Sequence, residues 1–283
     1  MKIAAIAAGA LALAGAAPAW AQAGPPAGDG ESAFDGDYLS IGIGGAYGPS
    51  YDGSDDMVLY PAALLQGSLG GVGITSRGAG VALDFIKAPE SGVDFDLGVT
   101  GQLRANRARQ IEDPVVASLG KLDEAFEVGP TVGISIPKVL NPYDSLSFSI
   151  DATWDIADAH GGMVIEPSVN YFTPLSRAIA ASLSLTAEHG DSDFMAYYHT
   201  VTPAQSAASG LTVFDPDGGG WTKAGGNLLL GFDLDGNLEN GGLAIVVAGG
   251  YMRMLGDAKD SPFTSVRGDA DQWTGALGIG YTF

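Results

Sequence analysis

From Ser145 to Ile156 every second residue is apolar. Leu146, Phe148, Ile150, Ala152, Trp154 and Ile156 alternate with Ser145, Ser147, Ser149, Asp151, Thr153 and Asp155. Side chains alternate across a β-strand, so such a segment has one oily face and one wet face. The pattern recurs in 93–104, where Val93, Phe95, Leu97, Val99 and Leu103 oppose Asp94, Asp96, Thr100, Gln102 and Arg104, and again in 126–136 and 179–188. Weaker or mixed versions occupy 38–47, 57–66, 81–86, 163–172, 227–234 and 242–252. The chain ends on a further one, in which Trp273, Gly275, Leu277, Ile279, Tyr281 and Phe283 share a face.

A soluble β-sandwich would hide these oily faces against each other. A transmembrane β-barrel would turn them to lipid and line its interior with the polar ones. Length and decoration favour the barrel. The segments run about ten residues or more, enough to cross a bilayer at a tilt, whereas strands of globular proteins are usually about 5–6 residues long. Aromatic residues also stand near strand ends on the oily face, as membrane-interface girdles require: Trp154, Tyr171, Phe172, Trp273, Tyr281 and Phe283. The expected fold is therefore all-β, a transmembrane antiparallel β-barrel. About eleven strands are clear, and single-chain bacterial barrels have even numbers. Twelve strands are expected, with ten as the alternative. The ambiguity lies in 57–86, which is broken at Gly70-Gly71 and at Gly78. The connections 137–143, 173–177 and 235–239 are short, and 106–123, 190–220 and 257–271 are long, which fits short periplasmic turns and longer external loops.

Composition sharpens this picture. Charged residues make up 16% of the chain and glycine is abundant, 43 of 283, where about 25% charged residues is usual for soluble domains. The formal charge is −20, from 33 acidic and 13 basic residues, which excludes the basic footprint of a nucleic-acid binder. There is no cysteine, hence no disulfide framework and no thiolate chemistry. Residues 1–23, one lysine and then an apolar stretch ending in small residues, read as a secretory signal peptide cleaved after Ala21 or Ala23. Residues 24–35 are a Pro/Gly/acidic lead-in, and 36–283 form the barrel domain. A last strand carrying Trp273, Tyr281 and a terminal Phe283 resembles the signal that bacterial outer-membrane proteins present to the barrel insertion machinery. Together these place the chain in a Gram-negative outer membrane, in contact with its lipid and lipopolysaccharide.

Candidate chemistry is sparse. The histidines are His160, in a loop, His189, at the start of the longest loop, and His199. By parity His189 shares the oily face of Ile179 to Leu185, and a pairing with Ser192 has no partner residues around it that would make a triad. No catalytic residues or cofactors are expected. The acidic loops hold Asp52, Asp55 and Asp56, then Asp215 and Asp217, then Asp257 and Asp260, beside glycines. Hard cations want several oxygen ligands, but none of these loops has EF-hand spacing, and Asp and Gly are also the ordinary residues of turns. The first loop is a weak metal candidate. On the wet faces Asp94, Asp96, Arg104, Asp151 and Asp155 should face the lumen. Arg104, Arg107 and Arg109 form the densest basic cluster, suited to lipopolysaccharide or to pairing with lumen acids such as Asp94 and Asp96, the latter being preferred.

Several stretches resemble the MipA/OmpV family of outer-membrane barrels. "GPSYDGSDD" (Gly48–Asp56) with Tyr60-Pro61, including Tyr51, Asp52, Gly53 and Ser54, looks like its first-hairpin signature. "LGDAKDSPF" (Leu255–Phe263), including Asp257, Asp260, Ser261 and Pro262, resembles its last-loop motif. "FEVGPTVGIS" (126–135), "SGL" (Ser209–Leu211) before "FDPDGGG", and the ending "GIGYTF" fit less specifically. The resemblance spans about 36–283. It implies a non-enzymatic outer-membrane scaffold that holds a lytic transglycosylase and a penicillin-binding protein together for murein assembly. Porin-like members give the alternative, a small channel whose acidic lumen favours cations or small solutes.

Overall fold

The protein is described here from a computed structural model covering residues 32–34, 36–89 and 91–283. The expected signal peptide, 1–23, and nearly all of the lead-in, 24–35, lie outside the described residues.

Twelve antiparallel strands close into a barrel, each paired with its sequence neighbours and the first with the last. They are β1 (Tyr38–Pro49), β2 (Met57–Leu69), β3 (Val72–Arg77), β4 (Gly80–Asp84), β5 (Asp94–Arg104), β6 (Ala125–Pro137), β7 (Ser145–Asp155), β8 (Met163–Pro174), β9 (Ile179–Gly190), β10 (Gly220–Asp233), β11 (Gly242–Met254) and β12 (Asp271–Thr282). Closure leaves no free sheet edge along most of the wall, which is what a lipid environment demands of backbone N–H and C=O groups. The segment 57–86 resolves into β2 and a short β3–β4 hairpin turning at Gly78-Ala79. β10 starts seven residues before the apolar alternation at 227 because a register shift between Trp221 and Lys223 disturbs its period.

The alternation is used as the periodicity requires. Ile43, Phe95, Leu97, Phe148, Ile150, Leu183, Leu185, Leu277 and Ile279 are exposed on the outer face. Thr100, Glu127, Thr131, Ser182 and Ser184 are buried on the inner one. Trp273 and Tyr281 are both exposed on β12. At ~3.3 Å per residue and a tilt near 40° they stand roughly 20 Å apart along the membrane normal, close to the height of an outer-membrane apolar band. The ring of Tyr281 packs 4.6 Å from that of Phe283, whose N–H donates to the carbonyl of Leu39 on β1.

Glycines on the inner face let neighbouring strands approach. A Cβ on Gly98 of β5 would collide with the carbonyl of Leu83 on β4. Gly98→Val should therefore push β4 off β5, at a cost of about 1–3 kcal/mol or more from overpacking. Leu97→Val, on the lipid face next door, should cost less than about 1.5 kcal/mol. The temperature at which the folded, fast-migrating band is lost on unheated SDS gels separates the two.

Three of the long connections are not open loops. Between β5 and β6 lies α1 (Pro114–Ser118). Between β9 and β10 lie α2 (Ser192–His199) and α3 (Pro203–Ser209), and between β11 and β12 lie α4 (Gly256–Asp260) and α5 (Pro262–Ser265). The sequence contains the stops and starts for these. Asp191 caps α2 by accepting the Phe194 N–H at 3.0 Å. Thr202 and Gln205 form a reciprocal capping box ahead of α3, Pro203 opens that helix and left-handed Gly210 ends it.

Candidate functional site

The inner wall has two characters. From β5 to β10 it is polar and charged, with Asp96, Gln102, Arg104, Glu127, Asp151, Glu166, Asn170, Glu188 and Lys223. From β10 round through β12 and β1 to β2 it is small and apolar, with Leu229, Val246, Ala248, Ala276, Ala62 and Leu64 around a separate cavity of about 70 Å³. Against the polar wall lies a cavity of about 250 Å³.

At the external end of the polar wall a charge network spans the lumen. Arg104 Nε donates to Glu127 Oε1 at 2.5 Å and its Nη2 to Glu127 Oε2 at 3.1 Å, the two-point geometry that a guanidinium makes with a carboxylate. Its Nη1 donates to Glu188 Oε2 at 2.8 Å. Gln102 Nε2 ties Glu127 to Glu166, at 2.8 and 2.9 Å. The β10 irregularity turns both Thr222 and Lys223 toward this network. Thr222 Oγ1 donates to Glu188 Oε1 at 2.6 Å, and Lys223 Nζ stands 2.8 Å from Asp52 and 3.5 Å from Glu188. His160 joins from the β7–β8 turn. Its Nδ1 accepts the Gly162 N–H at 3.0 Å, which fixes the proton on Nε2, and Nε2 donates to Glu127 Oε1 at 3.0 Å.

The helices lie over this network as a cap. Phe194 of α2 covers the Arg104 guanidinium at 4.9 Å and meets the His160 ring edge-on at 5.2 Å. One apolar cluster joins Val164, Phe194, Met195, Tyr198, Met254 and Ala258. A second joins Tyr51, Val116, Val201, Leu211 and Phe263. The first-hairpin and last-loop motifs meet here. Gly53, held at φ +92°, donates to Gln272 Oε1 at 3.1 Å and accepts the Asp269 N–H at 3.0 Å. A Cβ there would strike Thr264, so both space and φ call for glycine. The Tyr51 hydroxyl donates toward the carbonyls of Arg267 and Phe263 at 3.4 and 3.5 Å. Ser261 Oγ donates to the His199 carbonyl at 2.9 Å, Asp257 accepts the Asp217 N–H at 2.8 Å, and Arg267 pairs with Asp113 at 2.5 Å.

Two ionisable groups are sealed inside the cap. Arg107 lies with its guanidinium 3.9 Å above the Phe263 ring, and burial pushes it down to about 10. Burial, and next the charge of Arg107, hold the His199 imidazole down at about 4.

The remaining sequence-derived positions fall as follows. Asp96 and Asp151 line the large cavity, and Asp151 pairs with Arg77 at 2.9 Å. Asp94 lies on the same face of β5 as Asp96 and Arg104, at its periplasmic end. Arg104 does not pair with Asp94 or Asp96. They sit eight and ten residues away on its own strand, roughly 26–33 Å along an extended chain, and its partners come from β6 and β9 instead. Arg109 pairs with Glu124 within its own loop. Asp155 closes the β7–β8 turn by accepting N–H groups of Ala157, His160 and Gly161 at 2.8–3.0 Å. In the first acidic loop Asp52 is drawn to Lys223, while Asp55 is exposed. Among the described residues no group of three or more His, Asp or Glu side chains is arranged to hold a metal ion. In the last loop Asp260 stands 3.5 Å from Lys259 at the surface and Pro262 is buried. His189 packs edge-on against Trp221 at 5.3 Å, and Ser192 begins α2. Glu127, Glu188, Glu166, Thr222, Lys223 and Phe194 are the site residues that sequence reasoning passed over. The first two stood on wet faces, but nothing local marks which strands' acids will meet one arginine.

A family model described as MltA-interacting protein MipA matches residues 41–283. No curated protein matches the sequence. Among solved structures the COG4313 outer membrane channel from Pseudomonas putida F1 is similar, with 13% identity over 92% of this chain and 100% of that chain at a TM-score of 0.41. The Pseudomonas putida toluene transporter TodX shares 8% identity over 88% of this chain and 90% of its own, at 0.37. OmpT of Vibrio cholerae shares 6% over 87% and 97%, at 0.35. Likenesses this remote carry no argument about ligand or mechanism. With a closed twelve-strand barrel and a family match over nearly all of its described length, the chain is a Gram-negative outer-membrane β-barrel that belongs to the MltA-interacting protein MipA family.

Proposed function

We propose that this chain is a non-enzymatic, closed membrane platform whose periplasmic turns hold murein enzymes, a lytic transglycosylase together with a penicillin-binding protein. The family's description, an MltA-interacting protein, supports the class of partner. The observation that carries the reading is the helical cap packed over the external end of the charge network. A wall bound by Arg104, Glu127 and Glu188 and roofed by Phe194 is built to stay closed, as an anchor can be and an open pore cannot.

The opposite rim is rigid and presents apolar side chains. In the β6–β7 turn Asp144 accepts the N–H groups of Val139, Leu140 and Asn141 at 2.7–3.0 Å, and the Tyr171 hydroxyl donates to it at 2.7 Å. Leu140 is left 77% exposed at the tip, with Leu175 and Leu234 exposed on the neighbouring turns. A preformed turn binds without paying for its own ordering. Mild detergent extraction from native membranes should co-purify a murein hydrolase, and Leu140→Asp should reduce its recovery at least tenfold with the barrel still folded. Extraction that brings down no murein enzyme with the native chain counts against the platform.

One observation favours a second reading, a narrow cation channel: acids outnumber bases on the polar wall. It requires steady planar-bilayer conductance that falls when Asp94, Asp96 or Asp151 is changed to Asn.

A further inference from the structure

The barrel wall is incomplete on one side. β2 pairs with β3 at Gly67–Ile74, Ser68–Gly73 and Leu69–Val72, and the ladder then stops. Ser76 ends it. Its Oγ accepts the Leu65 N–H and donates to the Leu65 carbonyl, both at 2.8 Å, in place of a continuing strand. Leu65, Ala63, Pro61 and Leu59 turn their backbone groups toward this side, since alternate residues bond alternate neighbours. Among the described residues none of Ala63, Pro61 or Leu59 has a ladder partner there. Pro61 removes one donor from the unpaired edge.

The far side of the opening is β5. The β3–β4 hairpin leans on it, with Gly80 opposite Gln102 and the Leu103 N–H on the Ala79 carbonyl. Above, the Asp52 N–H reaches Asn106 Oδ1 at 3.1 Å and closes the frame. Tyr47, exposed on the outer face of β1, lies opposite Leu59, so Pro61 to Leu65 fall below the external aromatic girdle, at the depth of the outer leaflet. Irregular backbone survives at that depth where it lines a cavity.

Both cavities reach this place. Gly78, at the hairpin tip, lines the 250 Å³ polar cavity and the 70 Å³ apolar one. On the polar side Asp151 is 6% exposed, and its Oδ1 is buried without a hydrogen-bond partner while Oδ2 holds Arg77. Asp96 and Glu166 line the same cavity. On the apolar side Ala62, Leu64, Leu229 and Ala248 form a small-residue surface.

We infer that the gap between β2 and β5, above the tip of the β3–β4 hairpin, is a lateral portal through which a single-chain cationic amphiphile, a lipophilic amine, passes from the outer leaflet into the lumen. Its ammonium group lies against Asp151 and its apolar body against Ala62, Leu64 and Leu229. An ammonium supplies the donor that Asp151 Oδ1 lacks, and adds positive charge where acids are in excess. A carboxylate or sulfate of the same length would meet like charge.

The test uses the full chain in liposomes with three photoreactive probes of one chain length: a diazirine-bearing alkylamine, the alkyl alcohol and the fatty acid. Cross-linked residues are mapped by mass spectrometry. The amine should label the inward residues Ala62, Leu229 or Ala248 at least tenfold more than the fatty acid does. Asp151→Asn should reduce amine labelling of these residues to the level of the alcohol. Ala62→Trp should remove interior labelling by both, and Leu64→Phe serves if that variant does not fold. Adducts confined to the outward residues Leu183 and Leu185, which line neither cavity, or equal interior labelling by amine and fatty acid, overturn the proposal. So does interior labelling that Ala62→Trp and Leu64→Phe, folded by gel mobility, both leave unchanged. None of these outcomes depends on whether a murein enzyme is bound.

Discussion

Replacing Arg104 with methionine is expected to unlock the external mouth. The side chain would keep an unbranched apolar stem, end short of both carboxylates and lose its charge, leaving Glu127 and Glu188 facing each other across the lumen wall without the guanidinium that joins them. Removing one partner of a buried ion pair costs about 3–5 kcal/mol, because the charges left behind have been taken out of water. Here the cheapest relief is to let water and cations in, and the obstacle to both is the cap. Phe194 would also lose its cation, and α2 one of its contacts with the wall. We expect R104M barrels to show cation-selective conductance steps where the native chain is silent, and to lose the folded gel band at a lower temperature. Arg104→Lys should fall between, since an ammonium cannot serve Glu127 at two points and Glu188 as well. Adding Glu127→Gln and Glu188→Gln to R104M should restore closure, because the repulsion is then gone. An R104M barrel as silent and as stable as the native one would mean that the cap is held by its apolar clusters alone.

The contrast between wall and cap shows what a sequence states openly. Period-two alternation is a local property of one strand, so Leu146 to Ile156 announced a membrane strand without reference to any other residue. The β3–β4 hairpin stayed ambiguous because it is short and gives up its pairing with β2 after Leu69. β10 was foreshortened because the irregularity at Trp221/Lys223 breaks the alternation it would be recognised by. The cap helices had local signals, Asp191 and the Thr202/Gln205 box, but helices of four to eight residues are too short to show an apolar period of their own. The charge network had no local signal. Arg104, Glu127, Glu188 and Lys223 come from four strands, and their meeting is set by barrel closure and register. Asp94 and Asp96, the natural partners in sequence, lie on Arg104's own strand, whose extension holds them too far from it to pair.

The cap should also loosen as the medium is acidified, through His199. In the folded chain this imidazole is buried beside Arg107 and takes up a proton near pH 4, while an unfolded histidine does so near 6.5. The folded pKa is depressed, so the stability this site contributes is whole above about pH 6.5. It drains away as pH falls from there through about 4, by roughly 3 kcal/mol in all. The loss should appear first where His199 is anchored. Its carbonyl holds Ser261, and its helix shares a core with Met254 and Ala258. Amide hydrogen exchange at pH 7 and pH 4.5, corrected for the intrinsic rate, should show α2, α4 and α5 losing protection at the lower pH while β6 to β9 keep theirs. A His199→Phe variant has no proton to take up at that position, and its cap protection should be flat across the same range. If protection in the native chain is equally flat, or if the phenylalanine variant loses as much as the native chain, then another group governs the cap.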